Sequence, residues 1–218
     1  MKQYFIIQEG HSRLTLFFTG WGMDFRPFAD YHLVESDLLV CYDYRTLDFD
    51  YSLLGAYDEV RLVAWSMGVW AASRVFAGGE YTMKSIAVNG TNYPVDDNRG
   101  IPGMIFEGTL NGLTDATLQK FYRRMCGSAE SFKGFMERAP QRPVGELKEE
   151  LAKIREQSEL LPFTSFKWDK AVVGLQDRIF TADNQLRAFT EPTVVTEKNI
   201  AHYSEIILRE TVEQWINN

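Results

Sequence analysis

Residues 60–71 read V-R-L-V-A-W-S-M-G-V-W-A, and this stretch decides the fold. The apolar run at 60–65 is typical of a buried strand, and the residues that follow it favour a helix. Ser66 lies between the two, with Ala64 two positions before it and Gly68 two positions after it. A serine flanked in this way is the pattern of a nucleophile elbow, usually written G-x-S-x-G. A serine N-cap at an ordinary strand–helix junction has the same local pattern, so both interpretations stay open at this point.

Short apolar runs alternate with longer amphipathic ones on both sides of this stretch. We predict strands at residues 14–18, 37–42, 60–65, 85–88, 170–175 and 192–196. We predict helices at residues 25–32, 67–76, 181–189 and 204–215, and a short helix or turn at residues 51–57. Strands that alternate with helices form βαβ units, and strands that are apolar on both faces belong to a parallel sheet covered by helices.

One segment breaks this alternation. Residues 101–166 have helical patterns and no convincing strand, with candidate helices at 113–127, 131–139 and 144–158. An all-helical insert between two strands of a sheet is typical of a lid or cap. We therefore predict a single domain, residues 1–218, with a helical cap insertion at about 101–166.

The composition is that of an ordinary globular domain. The chain has 218 residues, 45% of them hydrophobic, and a formal net charge of −7. A protein this acidic is a poor candidate for binding nucleic acid. No run reaches the length of a membrane span, and the first residues lack the apolar core and cleavage site of a signal peptide. We expect a cytoplasmic monomer with no nucleic-acid or membrane partner.

The cysteines and histidines argue against a disulfide framework and against a metal site. Cys41 and Cys126 are far apart in sequence, and Cys41 lies in an apolar run that predicts a small buried side chain. A zinc site needs more clustered cysteine and histidine than a chain with three histidines offers. We expect neither a metal nor a cofactor.

A serine nucleophile needs a general base, and histidine is the usual one. His11 lies beside Gly10 in a turn, and His32 lies in a predicted helix. His202 follows the last predicted strand and precedes the final helix. In hydrolases with a nucleophile elbow the chain order is serine, acid, histidine. Only His202 fits that order, although a histidine in such a loop is by default a surface residue.

The acid is expected where the preceding strand ends. Asp177 follows the fifth predicted strand and stands 25 residues before His202, which leaves room for one helix and one strand. A helix N-cap is its competing interpretation. Asp183, in the next predicted helix, and the pair Asp96 and Asp97, after another strand, are alternative acids that we rank behind Asp177.

The turn after the first predicted strand is a candidate oxyanion hole. It reads F-T-G-W-G at residues 18–22. In these hydrolases a backbone N–H of such a turn acts together with the N–H of the residue after the nucleophile. We assign the two donors to Trp21 and Met67, and we expect the Trp21 side chain to flank an acyl pocket. A plain Gly-rich turn is the competing interpretation.

These features occur in the chain order of the α/β-hydrolase fold. We therefore predict that fold: a mainly parallel, twisted sheet flanked by helices, with a helical cap insertion. Four motifs are more specific than the general pattern of this fold. They are F-T-G-W-G at 18–22, A-W-S-M-G-V-W-A at 64–71, A-V-N-G-T at 87–91 and I-A-H-Y at 200–203. Together they resemble the BioG family of pimeloyl-[acyl-carrier protein] methyl ester esterases, over nearly the whole chain.

The resemblance implies a serine carboxylesterase with Ser66, Asp177 and His202 as its triad. Its reaction is hydrolysis of the methyl ester at the far end of a pimeloyl chain held on acyl-carrier protein, in biotin synthesis. General short-chain carboxylesterases and thioesterases share the triad without carrier preference, and they remain an alternative. A non-catalytic, partner-binding protein of the same fold is a third reading, against which the intact triad argues.

An acidic carrier protein would need a basic face on the esterase. Residues 120–142 contain six basic and two acidic residues, a local charge of +4 on a chain of −7. A basic face can steer an acidic partner, and arginine suits a phosphate. A solvated helix face with scattered charges is the competing interpretation. The candidate substrate-binding residues are Trp21, Trp65, Phe121, Tyr122, Arg123, Arg124, Arg138 and Arg142.

Overall fold

The computed structural model describes residues 1–78, 83–161 and 166–214. Within these ranges seven strands form one sheet: β1 (Lys2–Ile7), β2 (Arg13–Phe18), β3 (Asp37–Tyr42), β4 (Glu59–Trp65), β5 (Lys84–Val88), β6 (Lys170–Gly174) and β7 (Val194–Lys198). Their order across the sheet is β1-β3-β2-β4-β5-β6-β7. All neighbours are parallel except β1 and β3, which are antiparallel. The predicted mainly parallel sheet is confirmed.

The burial of each strand follows from its place in the sheet. Every residue of β3 is buried, and β2, β4, β5 and β6 are buried over most of their length. Strands covered on both faces need near-continuous apolar sequence, which is why these strands are recognisable in the sequence. The edge strands β1 and β7 are more exposed and more polar.

Seven α-helices accompany the sheet in the described part of the chain: α1 (Met67–Val75), α2 (Gly103–Asn111), α3 (Asp115–Cys126), α4 (Ala129–Glu137), α5 (Val144–Leu160), α6 (Ala182–Ala188) and α7 (Glu205–Gln214). Helices α1 and α7 pack on β4, and α6 packs on β6. The sheet is therefore flanked by helices, as predicted.

The helical insertion consists of α2 to α5, which separate β5 from β6 in sequence. Local sequence explains its turns, because α3 begins at a capping box of Thr114 and Thr117 and ends at Gly127, whose φ is 74°. Ser128 then caps α4. The stretch predicted to be helical is helical, with α2 as an additional helix before the three candidate segments. Residues 162–165 of the predicted insertion lie outside the described residues.

The helix predicted at residues 25–32 is wrong. The chain there forms a single 3₁₀ turn, Arg26–Phe28. The Asp24 carboxylate accepts a hydrogen bond from the Arg26 N–H at 2.9 Å, and the backbone bonds that follow, such as Ala29 N–H to the Arg26 carbonyl at 3.2 Å, span three residues rather than four. Buried apolar side chains imitate the helical period in this segment.

The final elements are displaced slightly from their predicted bounds. β7 begins at Val194 rather than at Pro192, which has no N–H for the ladder. The last helix is described to Gln214, and Trp215, the predicted end, lies outside the described residues.

Candidate active site

Ser66 occupies a sharp turn between β4 and α1. Its φ of 59° and ψ of −128° are strained for a residue with a side chain. A Cβ added at Gly68 would lie 2.2 Å from the Phe18 carbonyl oxygen, and one at Gly90 would lie 2.2 Å from the Ser66 carbonyl oxygen. Only glycine therefore allows α1 to approach the end of β2, and the turn after β5 to approach Ser66, so closely. The Ser66 side chain makes no capping hydrogen bond to α1, so it is not an ordinary N-cap.

The side chains of Ser66, His202 and Asp177 are hydrogen-bonded in a row. Ser66 Oγ lies 2.9 Å from His202 Nε2, and His202 Nδ1 lies 2.8 Å from Asp177 Oδ2. The His202 side chain is 1% exposed and that of Asp177 is 0% exposed. When the carboxylate accepts the Nδ1 proton, Nε2 is free to accept the serine proton. The arrangement suits a serine nucleophile with a buried general base.

Asp177 is held by the start of the segment that follows β6. Its Oδ1 accepts hydrogen bonds from the N–H groups of Ile179 (2.7 Å) and Phe180 (3.0 Å). Its Oδ2 also accepts from the Gln185 side chain at 3.1 Å. The carboxylate therefore orders the turn after β6 as well as contacting His202. The sequence analysis did not identify Gln185 as a partner of Asp177. The one feature that could have indicated it is an amide side chain on the helix that follows Asp177.

The loop that carries His202 is fixed by side chains at the ends of two strands. Asn89 Nδ2 donates to the carbonyl oxygens of Ala201 and His202, both at 2.9 Å, and Asn89 Oδ1 accepts from the Gly174 N–H at 2.7 Å. Trp65 Nε1 donates to the same His202 carbonyl at 2.9 Å. Sequence reasoning missed this role for Asn89. A polar residue directly after a buried strand is the signal that could have found it.

The turn after β2 passes directly beside the nucleophile. A Cβ added at Gly20 would lie 3.2 Å from Ser66 Cβ, and Trp21 lines the same pocket as Met67. Met67 is the first residue of α1, so its N–H has no partner within the helix. Backbone donors on both sides of a serine suit the stabilisation of an oxyanion.

An apolar pocket lies over Ser66 and His202. Its free volume is about 40 Å³, whereas small-molecule sites typically have ~300–1,000 Å³. The helical insertion supplies about half of its wall, because the lining residues are Gly20, Trp21, Trp65, Ser66, Met67, Ile101, Ile105, Phe106, Thr109, Phe121, Arg124, Met125, Leu151, Ile179 and His202. Four predicted substrate-binding residues, Trp21, Trp65, Phe121 and Arg124, are therefore at the pocket.

Trp21 joins the turn after β2 to the helical insertion. Its Nε1 donates to the Leu147 carbonyl of α5 at 2.9 Å. Its ring meets the Phe121 ring of α3 edge-on, with centroids 5.1 Å apart. The Trp21 indole thus connects the turn after β2 to helices α3 and α5, which line the pocket.

Tyr122 was predicted to bind substrate, and the structure corrects this. It is 4% exposed, it packs against Phe135 with ring centroids 5.0 Å apart, and it is not among the pocket-lining residues. Phe135 in turn meets Tyr203 edge-on at 5.1 Å. Because α3 and α4 need an apolar seam against the loop of His202, these rings serve packing.

The four predicted basic contacts have different surroundings. Arg123 and Arg124 are exposed on α3, where Arg123 lies over the Phe132 ring at 4.6 Å and Arg124 donates to the Arg178 carbonyl. Both side chains are accessible to a partner, and Arg124 also lines the pocket.

Arg138 and Arg142 are corrected by the structure. The Arg142 guanidinium is 5% exposed and lies 2.6 Å from the Glu150 carboxylate and 3.0 Å from that of Asp43. Arg138 pairs with Asp30 and with Glu205 on α7. Neither residue lines the pocket. Their charges are already neutralised by carboxylates of this chain, so they are not free substrate contacts.

The other candidate acids and bases lie away from the serine. Asp96 and Asp97 accept hydrogen bonds from backbone N–H groups, and Asp183 is 80% exposed. In the described ranges, the hydrogen bonds and ion pairs of these aspartates, His11 and His32 do not reach Ser66 or His202. The hydrogen bonds of Ser66 and His202 lead to Asp177 instead.

The described part of the chain contains neither a candidate metal site nor a helix that could span a membrane. No group of three or more histidine, cysteine, aspartate or glutamate side chains there could hold a metal ion. No helix in residues 1–78, 83–161 or 166–214 is both long and apolar enough to cross a membrane. Cys41 and Cys126 are free and buried.

Comparison with known proteins gives a family and a fold. A family model described as pimeloyl-ACP methyl esterase BioG matches residues 1–212. The crystal structure of BioG from Haemophilus influenzae is 40% identical, covers 94% of both chains and superimposes with a TM-score of 0.86. A lipase-esterase related protein from Clostridium acetobutylicum, 13% identical, covers 99% of this chain and 97% of its own with a TM-score of 0.69. The last likeness concerns the fold alone, and the predicted α/β-hydrolase fold is confirmed.

A further relative is much longer than this chain. It is a Bacteroides fragilis protein named malonyl-[acyl-carrier protein] O-methyltransferase. The two are 54% identical over 199 residues, which are 90% of this chain and 41% of that protein. This chain therefore spans about two fifths of that relative.

Proposed function

The chain belongs to the BioG family of pimeloyl-ACP methyl esterases, and on that premise we propose that it hydrolyses the methyl ester of pimeloyl-[acyl-carrier protein] in biotin synthesis, with Ser66, His202 and Asp177 as its triad. The observation that carries the proposal is the row from Ser66 Oγ through His202 to Asp177, with distances of 2.9 Å and 2.8 Å, beside an apolar pocket.

In the proposed acylation step, Ser66 Oγ attacks the ester carbonyl while His202 Nε2 takes its proton. His202 then returns the proton to the leaving methoxide, which departs as methanol. Asp177 stabilises the imidazolium that forms between these transfers. An acyl-enzyme remains on Ser66.

In the proposed deacylation step, His202 deprotonates a water molecule that attacks the acyl-enzyme. The proton then passes from His202 to Ser66 Oγ, and the carboxylic acid is released. The balance is one water consumed, and one methanol and one carboxylic acid formed, and the acid ionises in solution to a carboxylate and a proton. In both tetrahedral intermediates the N–H groups of Trp21 and Met67 would bind the oxyanion, a contribution of the order of ~10²–10³ in rate per donor.

The pocket needs to widen before an acyl chain can enter. Its free volume of about 40 Å³ holds only a few water molecules, by the ~10–15 Å³ that each requires. Helix α2 is the wall that we expect to move, because Met104 is 86% exposed, Ile105 is 44% exposed and nothing lies within 4 Å of a Cβ at Gly108. An apolar wall also suits a hydrocarbon chain better than a polar substrate.

Two observations support a carrier-bound substrate. Arg123 and Arg124 are exposed on α3 and Arg124 lines the pocket, so the two can attract an acidic carrier and its phosphate. The name of the Bacteroides fragilis relative joins O-methylation to an acyl group on acyl-carrier protein. A methyl ester on that carrier is the bond class that an esterase of this family would cleave.

The first experiment compares wild type with Ser66→Ala on pimeloyl-[acyl-carrier protein] methyl ester. We expect methanol release by the wild type alone. If the wild type cleaves a p-nitrophenyl ester but leaves the carrier-linked ester intact, the chain is a general carboxylesterase. If a fluorophosphonate does not label Ser66 and neither ester is cleaved, the chain is a non-catalytic relative.

A second experiment tests the carrier contact. Arg123→Glu and Arg124→Glu should raise KM for the carrier-linked ester at least 10-fold and leave a soluble ester unaffected. Arg187→Glu, a charge reversal on α6 outside the helical insertion, is the matched control. Equal losses on both substrates would place the carrier elsewhere.

A further inference from the structure

Glu150 is a fully buried carboxylate that the proposed chemistry does not use. It lies on α5 and is 0% exposed. Its Oε1 accepts a hydrogen bond from the Tyr44 N–H at 2.9 Å, and its Oε2 accepts from the Gly22 N–H at 3.4 Å. The turns after β2 and β3 are thereby joined to one side chain of the helical insertion.

The negative charge of Glu150 is balanced by the Arg142 guanidinium. Arg142 Nη1 lies 2.6 Å from Glu150 Oε2, and the same guanidinium reaches Asp43 at 3.0 Å and the Met23 carbonyl at 3.3 Å. Burial raises the pKa of the Glu150 carboxyl, and the adjacent Arg142 opposes that rise. Since buried ions need partners, this arrangement holds Arg142 and Glu150 in one geometry.

Two groups on α5 accept hydrogen bonds from consecutive residues, Trp21 and Gly22. The Leu147 carbonyl accepts from the Trp21 indole at 2.9 Å, and Glu150, three residues later, accepts from the Gly22 N–H. Residues three apart lie on one side of a helix. Trp21, the residue that carries the proposed oxyanion donor, is thus held through its side chain, and the next residue, Gly22, is held through its N–H.

We infer that Glu150 is a positioning residue, which holds the Trp21–Gly22 turn so that the Trp21 N–H points at the oxyanion. The inference rests on the proposed esterase function, because that function makes the Trp21 N–H an oxyanion donor. Glu150 itself makes no contact with substrate. Its effect is on the transition state, because the turn is needed only when negative charge develops on the carbonyl oxygen.

The test variant is Glu150→Gln, which keeps the shape of the side chain and removes one acceptor and the charge. Glu149→Gln is the matched control, because Glu149 is the adjacent exposed carboxylate of α5 and pairs with Arg45 at 2.8 Å. Active sites are titrated with a fluorophosphonate, so rates refer to folded enzyme only. Thermal unfolding of each variant is measured in parallel.

We expect Glu150→Gln to lower kcat on a p-nitrophenyl ester about 10-fold or more per titrated site, with KM changed less than threefold. The affinity for an alkyl boronic acid, which forms a tetrahedral anion on the serine, should fall by a similar factor. Glu149→Gln should match the wild type in both readouts. A merely structural role would reduce the number of titrated sites and leave both values per site unchanged, and that result overturns the inference.

The boronic acid also separates this inference from the proposed function. If the wild type does not cleave esters, the proposed function fails, but the boronate affinities of the two variants still measure the oxyanion turn. Equal affinities for Glu150→Gln and Glu149→Gln would then overturn the inference on its own.

Discussion

The Asn89 side chain donates a hydrogen bond to the His202 carbonyl oxygen at 2.9 Å, across 113 residues of sequence. Asn89 follows β5, whereas His202 lies in the loop after β7. The same amide also binds the Ala201 carbonyl and the Gly174 N–H, so it joins the ends of β5 and β6 to the loop. The position of the proposed base is therefore set by an amide that takes no proton itself.

Asn89→Ala should displace His202 from Ser66. It removes three hydrogen bonds, and we expect kcat to fall ~10- to 100-fold and the protein to lose ~1–3 kcal/mol, because the Ala201 carbonyl and the Gly174 N–H lose their partner while the His202 carbonyl keeps only Trp65. Steady-state kinetics per titrated site and urea unfolding measure the two effects. Asn98→Ala, at an exposed asparagine, is the control, and equal kcat values for the two variants would contradict the role of Asn89.

Gly68→Ala should disrupt the elbow, because its Cβ would lie 2.2 Å from the Phe18 carbonyl oxygen. We expect a loss of at least ~1–3 kcal/mol in unfolding free energy together with loss of esterase activity. Gly134→Ala, in α4, is the matched change in open space and should stabilise the protein by ~0.5–1 kcal/mol. A Gly68→Ala variant as stable and active as Gly134→Ala would show that the close approach is not required.

Arg142→Gln should lower stability rather than weaken substrate binding. It leaves Glu150 and Asp43 buried without their shared partner, and breaking such a pair costs ~3–5 kcal/mol. Arg123→Gln, on the exposed face of α3, should change stability by less than ~0.5 kcal/mol and raise KM for the carrier-linked ester. The reverse pattern, a KM effect for Arg142 and a stability effect for Arg123, would return Arg142 to the carrier contact.

The Cys126 thiol should be unreactive in the folded protein. Burial raises its pKa to about 11, so at pH 8 about one thiol in a thousand is ionised, compared with about a quarter at an ordinary pKa of ~8.5. Since the thiolate is the reactive form, the reaction with a disulfide reagent at pH 8 should be slower by about two orders of magnitude than in denaturant. At pH values below the pKa, the labelling rate should rise tenfold for each unit by which the pH is increased. Fast labelling of native Cys126 at pH 8 would contradict the buried position.

The sequence alone determined the architecture and the candidate triad. Strands buried on both faces are continuous apolar runs, so the sheet was readable from residues 14–18 to 170–175. The elbow pattern indicated Ser66, the chain order serine, acid, histidine indicated His202, and the position directly after a strand ranked Asp177 ahead of Asp183. The prediction failed at residues 25–32, where apolar spacing imitates a helix but the backbone hydrogen bonds close only 3₁₀ turns.

Only the tertiary structure decided what the charged, aromatic and amide side chains do. Arg123 and Arg142 look alike in sequence, yet one is exposed and the other is enclosed by Asp43 and Glu150. The physical reason is that a charge is free or neutralised according to which residues meet it in space, and its partners here come from distant strands and turns. The same holds for Asn89, since a hydrogen bond across 113 residues leaves no periodic trace in the sequence.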